Sequence, residues 1–317
     1  MSENIVHSQE KYGLFPGAEE IPLMTVCRFS YVCNAKCSGC PFTISNTRNL
    51  YKETPFMLPE VFKKVADEVG AYGNFIRITG GGEPLLHPQA IELFLYAKAK
   101  NCRLGIISNG SQYDKNKLTS LLKANVDTLE ISVDAGNEKD YNYARAGLNW
   151  EKLNKNVQMA IELREKLNSQ TRIWVSIIEQ KGIDIEAAIR HWEPLVDKVQ
   201  LRKFLNFTVD NRKKSASTGA FLPLNERIPC PQLFDRTCIA PDGKVVLCGR
   251  DPSGEYSPGS ILKQSLSEIW TGPFYSSVRE LHLSKQREKF PMCNGCTDVS
   301  FKSWSYNFWK ILKDTEK

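Results

Sequence analysis

The residues with the clearest chemical potential are three cysteines in the stretch YVCNAKCSGCPF, at positions 31–42. Cys33, Cys37 and Cys40 follow the pattern C-x3-C-x2-C, and no fourth cysteine follows nearby. Structural zinc sites and closed iron–sulfur sites usually take four protein ligands. Three thiolates instead hold three corners of a cubane cluster and leave the last iron open to an outside ligand. Spacing alone also permits a partial zinc site or a chance triplet.

A second set lies in the last third of the chain. Cys230, Cys248, Cys293 and Cys296 form C-x17-C-x44-C-x2-C. Two short apolar runs flank Pro241-Asp242-Gly243, a strong hairpin signal that brings its arms together. The C-x2-C pair offers two thiolates on one loop. Four thiolates close a site, and a zinc knuckle fits the spacing as well as an iron–sulfur cluster does. Cys27 and Cys102 stand in apolar runs and read as small buried residues. Cys238, on the first hairpin arm, has three readings: a buried residue, a substitute for Cys230, or a hydrogen-atom donor. A thiol S–H is weaker than most C–H bonds and can quench a carbon radical.

These groups need a scaffold, and from residue 22 to about 204 the chain alternates strand and helix. Strands are predicted at 22–29, 74–80, 102–108, 128–134, 172–179 and 198–204, with amphipathic helices at 58–70, 88–100, 113–123, 150–166 and 184–194. Six strands joined by crossover helices imply an α/β fold with a parallel sheet, open or curled into a barrel. The front cysteines then follow the first strand, at the end where barrel active sites assemble. The expected organisation is an N-terminal extension (1–21), a core (22–205), a polar linker or substrate-covering loop (206–228), a small cysteine-bearing domain of hairpin plus helix (229–300) and a C-terminal helix (301–317). In that helix Phe301, Trp304, Phe308 and Ile311 share one face.

Composition adds bounds. Of 317 residues, 41% are hydrophobic and 25% charged, which is ordinary for a globular protein. No apolar run approaches the roughly 20 residues of a membrane span, and the N-terminus lacks the apolar core of a signal peptide. The chain is therefore expected in the cytoplasm, where ten clustered cysteines argue for metal or redox chemistry rather than disulfides. A net charge of +6 is spread along the chain, and its densest basic run, NRKK at 211–214, reads as a solvated loop rather than a nucleic-acid contact.

With these motifs in hand, the sequence resembles the radical S-adenosylmethionine (SAM) enzymes. That resemblance implies a partial (β/α)6 TIM-like barrel and a [4Fe–4S] cluster on Cys33, Cys37 and Cys40. The amino and carboxylate groups of SAM take the open iron, and reductive cleavage yields a 5′-deoxyadenosyl radical. TGGGEPLLHP (79–88) resembles the family's Gly-Gly-Glu motif, so Gly81 and Gly82 would admit the methionine part of SAM and Glu83 would accept from its ammonium group. By the same resemblance Ser108, Ser132 and Asp134, at successive strand ends, are SAM contacts. Arg145 pairs with the SAM carboxylate. The family commonly has an aromatic residue before its third cysteine; here Gly39 stands there, and Phe42 is the candidate to face the adenine.

The rear cysteines resemble the twitch form of the SPASM extension, which implies a second [4Fe–4S] cluster. Such enzymes include epimerases and dehydrogenases of sugars and aminocyclitols, and peptide-modifying enzymes. Only 32 residues precede Cys33, short for a peptide-recognition domain, so a small sugar or aminocyclitol-like substrate is the leading expectation. The resemblance further implies a flavodoxin- or ferredoxin-type electron donor. Modification of a short peptide is the enzyme alternative, and a zinc-stabilised α/β binding module the alternative without catalysis.

Overall fold

In the computed structural model the described residues are 12–44, 47–203, 228–249, 251, 253–294 and 296. The expected C-terminal helix and all but the last residue of the 206–228 loop lie outside them. Six parallel strands form the body: β1 (Met24–Ser30), β2 (Phe75–Gly80), β3 (Arg103–Ser108), β4 (Thr128–Ser132), β5 (Arg172–Glu179) and β6 (Lys198–Lys203). Between β1 and β2 come the single turn α1 (Pro41–Ile44) and the helix α2 (Pro59–Ala71). The remaining crossovers are α3 (Ala90–Ala99), α4 (Lys115–Lys123), α5 (Glu138–Ala144), α6 (Trp150–Lys166) and α7 (Ile185–Trp192).

The period-two alternation of the strands separates two environments. Cys27 and Phe29 on β1, Ile76 and Ile78 on β2, and Leu129 and Ile131 on β4 join the core under the helices. The intervening residues point inside the curved sheet: Met24, Phe75 and Trp174 form a small apolar cluster, and Val26, Arg28, Thr79 and Ser132 line a cavity. Helix α2 shows why the sequence was readable here. Pro59 opens it, and Val61, Phe62, Val65, Ala66 and Val69 make one buried face.

The rear segment begins with the short helix α8 (Gln232–Asp235) and three strands, β7 (Arg236–Ile239), β8 (Lys244–Val246) and β9 (Gly259–Ser260). The sequence reads this hairpin as part of a separate small domain. In the structure β7 runs parallel to β1, with Val26 opposite Cys238, and the sheet continues without a break in the order β6-β5-β4-β3-β2-β1-β7-β8-β9. An unpaired β1 would leave a row of backbone groups open, and β7 satisfies them. Gly243 turns the hairpin at φ +85°, where a side chain would be strained.

Helices α9 (Leu266–Thr271) and α10 (Pro273–Leu283) complete the rear segment. Ser265 and Glu268 form a reciprocal capping box on α9. Trp270 on α9 donates its indole N–H to the Ala18 carbonyl at 2.7 Å, tying the N-terminal segment to the rear.

Candidate active site

The C-terminal ends of the parallel strands open into a cavity of about 310 Å³. Cys33, Cys37 and Cys40 line it, together with every residue expected from the strand-end motifs: Gly81, Gly82, Glu83, Ser108, Ser132, Asp134 and Arg145, with Phe42 at the same wall. Residues from four strand ends and one loop thus face one space, as their order in the sequence predicts.

The thiols sit against positive charge. Arg145 Nη1 lies 3.6 Å from the Cys37 sulfur, and Arg48 Nη2 lies 3.8 Å from that of Cys40. The Ala35 amide donates to Cys33 Sγ at 3.4 Å. Burial pushes the Cys37 thiol up, and the Arg145 charge works against it. Such donors favour the thiolate that iron binds.

Glu83 is buried and held by three donors. Ser108 donates its hydroxyl to Oε1 at 2.8 Å, the Leu85 amide donates to the same oxygen at 3.1 Å, and the Asn109 amide donates to Oε2 at 2.7 Å. Burial raises this carboxyl above its ordinary value, and the three hydrogen bonds oppose the rise. Ser108 commits its one proton here, so its direct task is to seat Glu83. Gly82 permits the arrangement: a Cβ there would stand 2.0 Å from the Val32 carbonyl oxygen, which accepts the Glu83 amide at 2.8 Å.

Asp134 adopts a positive φ of 55° at the end of β4. One carboxylate oxygen accepts the Ile178 amide at 2.8 Å and the other meets Arg145 Nη2 at 2.7 Å. Asp134 therefore acts through Arg145, whose buried Nε has no partner among the described residues. An orphaned guanidinium N–H at the cavity wall is a ready donor to a ligand carboxylate. Phe42 packs edge-on against Tyr31, ring centres 5.6 Å apart, and Tyr31 stacks on Tyr51.

Several functional residues were not read from the sequence. Arg48 donates Nε to the Gly81 carbonyl at 2.7 Å, fixing the glycine loop beside Cys40. Arg28, buried on β1, donates to the carbonyls of Cys248 and Asp251 at 3.1 and 2.9 Å, which joins the cavity wall to the rear cysteines. Asn109 Nδ2 donates to Asn34 Oδ1 at 3.0 Å across the front loop. A charged residue inside the apolar run VCRFS was the available signal for Arg28.

At the rear, Cys248 Sγ lies 3.6 Å from the sulfur of Met292, the neighbour of Cys293. The Cys230 amide donates to His282 Nδ1 at 3.2 Å. Burial, and then Arg287, pushes His282 down to about 4, so the ring is neutral and can accept. Cys27 and Cys102 are buried on the helix side of the sheet as expected, the latter donating to the Ala66 carbonyl. Cys238 is also buried, yet it lines the front cavity. Among the described residues no three Cys, His, Asp or Glu side chains form a group fit for one metal ion. Tetrahedral zinc draws its thiolates to about 2.3 Å from one point, whereas a cluster of several irons holds them further apart. Three thiols beside Arg145 and Arg48 in front, and four cysteines in the rear segment, are donors of the kind iron–sulfur clusters take.

Comparison with known proteins agrees. The model of the Radical SAM superfamily matches residues 27–178, and that of SPASM, an iron–sulfur cluster-binding domain, matches residues 230–297. The chain belongs to the radical SAM superfamily.

As a radical SAM protein with a SPASM-type domain, it uses a SAM-binding [4Fe–4S] cluster, an auxiliary iron–sulfur cluster and SAM. It is 24% identical to the tungsten-containing aldehyde ferredoxin oxidoreductase cofactor-modifying protein of Pyrococcus furiosus, over 84% of each chain. Its fold is similar to that of BtrN in complex with AdoMet and 2-DOIA (TM-score 0.60, 19% identity, 89% of this chain and 95% of that one). It is also similar to Streptococcus suis SuiB bound to the precursor peptide SuiA (TM-score 0.65, 14% identity, 90% and 75%). Within this radical SAM chain, the front triplet and rear quartet account for seven of ten cysteines. With Cys27 and Cys102 facing the helices, too few remain for a second auxiliary cluster, in keeping with the twitch form. Among the described residues no helix is long and apolar enough to cross a membrane.

Proposed function

We propose that this radical SAM protein abstracts hydrogen from a carbon of a small sugar or aminocyclitol-like substrate and inverts that carbon, with Cys238 returning the hydrogen atom. Bound SAM and the reduced front cluster supply the 5′-deoxyadenosyl radical. Arg145, held by Asp134, takes the SAM carboxylate; Glu83 takes its ammonium group; Ser132 and Phe42 complete the pocket. Cys33, Cys37 and Cys40 hold the front cluster, while Cys230, Cys248, Cys293 and Cys296 hold the auxiliary one.

The observation carrying the reaction is the position of Cys238. Its residue lines the same cavity as the front cysteines, on β7, while Ser132 ends β4 and Asp134 follows that strand. Burial raises the thiol, with Arg28 and then Arg236 opposing, so it keeps the hydrogen it must give. Transfer of that hydrogen forms a C–H bond, breaks S–H and leaves a thiyl. One electron from a flavodoxin- or ferredoxin-type donor in the cytoplasm and one proton would restore the thiol, and an auxiliary cluster on Cys230, Cys248, Cys293 and Cys296 would supply the one-electron relay.

In deuterated water the epimer should carry one non-exchangeable deuterium on the inverted carbon, and Cys238→Ala should abolish it. An unchanged rate and label in that variant would reject the assignment. Two other outcomes remain specific: alcohol oxidation to a ketone, with the auxiliary cluster as electron acceptor, and modification of a peptide. The likeness to SuiB bound to SuiA supports the second. A ketone without deuterium identifies the first; a mass change on a genomically adjacent short peptide identifies the second.

A further inference from the structure

Inside the curved sheet, one group of charges is used by neither cluster nor SAM. Glu130 on β4 is buried between two arginines, Arg77 on β2 and Arg202 on β6. Arg77 Nη2 is 2.8 Å from Glu130 Oε2, and Arg202 Nη2 bonds the other oxygen. Two guanidiniums share this one carboxylate.

The other cavity arginines have assigned contacts: Arg145 on Asp134 and Cys37, Arg48 on Gly81 and Cys40, and Arg28 on the carbonyls of Cys248 and Asp251. Arg202 differs from Arg77 in being reachable. It lines the cavity, and its side chain is 36% exposed against 11% for Arg77. Burial lowers Arg77, Glu130 opposes this, and the charges of Arg202 and Arg236 lower it further.

We infer that Arg202, braced by Glu130 and Arg77, forms a subsite for an anionic oxygen of the substrate, a carboxylate or a phosphate. The substrate class then narrows from neutral polyols to acidic or phosphorylated ones. A guanidinium already oriented by a buried carboxylate offers its remaining N–H groups at little ordering cost. Arg202 keeps N–H groups that Glu130 does not take, and an anionic oxygen docks on those that face the cavity.

The inference rests on the small-substrate reading above, and its test is separate from the reaction. Glucose, glucose 6-phosphate and glucuronate are titrated calorimetrically into the anaerobically reconstituted, SAM-loaded enzyme without reductant. At least one anionic probe should bind roughly tenfold or more tightly than glucose, and the tighter one names phosphate or carboxylate. Arg202→Gln should collapse the gap to under about twofold, while Arg202→Lys keeps part of it. Equal binding of all three probes in wild type, or a gap that survives in Arg202→Gln, overturns the subsite. Should Arg202→Gln fail to load iron, Arg202→Lys decides: an unchanged gap there, with no loss at high salt, is equally fatal. An intact gap alongside absent deuterium incorporation would keep the subsite and reject the epimerase reading.

Discussion

The Arg28 guanidinium on β1 lies 3.1 Å from the carbonyl oxygen of Cys248, 220 residues along the chain. A cation fixed next to Cys248, a proposed ligand of the auxiliary cluster, stabilises the reduced form of that cluster. In a protein whose front cysteines are replaced by alanine, Arg28→Gln should lower the midpoint potential of the remaining cluster, and Arg28→Lys should lower it less. Potentiometry followed by electron paramagnetic resonance reads the shift, and iron analysis should give about four irons in the parent. Equal potentials in all three proteins would remove this role from Arg28.

Asp134 orients Arg145, the proposed donor to the SAM carboxylate. Asp134→Asn should keep the iron content and weaken SAM binding by roughly ten- to a hundredfold, the worth of a charged hydrogen bond. Equilibrium binding of SAM to the unreduced enzyme measures it. Arg145→Lys should be as weak or weaker, because a point charge cannot serve Asp134, Cys37 and a carboxylate together.

Gly82 sits against backbone rather than a side chain that could move aside. Gly82→Ala would force its Cβ against Val32, next to Cys33, and should cost about 1–3 kcal/mol. Denaturant melts of the metal-free protein give the stability loss, and reduced iron loading of the front site should accompany it.

Glu130 supplies a pH dependence. Burial alone would raise its carboxyl, but Arg202 and then Arg77 hold it below its ordinary value. Its contribution is therefore present above the usual carboxylate range and lost as pH falls through the lowered folded value. Glu130→Gln should destabilise the protein by about 3–5 kcal/mol near neutrality, since it leaves arginine charge buried. Melts at decreasing pH should show the gap to wild type closing; a gap that widens on acidification would contradict the assigned sign.

The parts of the site that the sequence revealed are those whose geometry is local. Three thiols within eight residues must share one loop, and polar residues at successive strand ends must share one rim. The strands were legible through their alternation, apart from shifts of one or two residues at their ends. Interactions across the sheet were not. Glu130 meets Arg77 from 53 residues away and Arg202 from 72, so only an unexplained charge in each strand hinted at them. Helix α10 escaped notice because it buries Arg279 and His282 along with Tyr275 and Val278, which blurs its apolar face. Helix α5 is seven residues long, too short for a period to emerge. The seating of Rear strand β7 against β1 had no sequence marker, since parallel pairing follows from an open edge and not from a motif.

That pairing sets an order of events during synthesis. Strand β1 carries the front cysteines on its trailing loop, yet its second neighbour is translated more than 200 residues later, after Arg236 has emerged. Until then the front of the chain has an exposed edge, open to mispairing with other nascent chains. A chain halted before residue 236 would hold every SAM-binding motif and still lack one wall of the cavity. Iron delivered to the first three cysteines before that point enters a half-built vessel, so maturation of the front cluster is linked in time to completion of the rear.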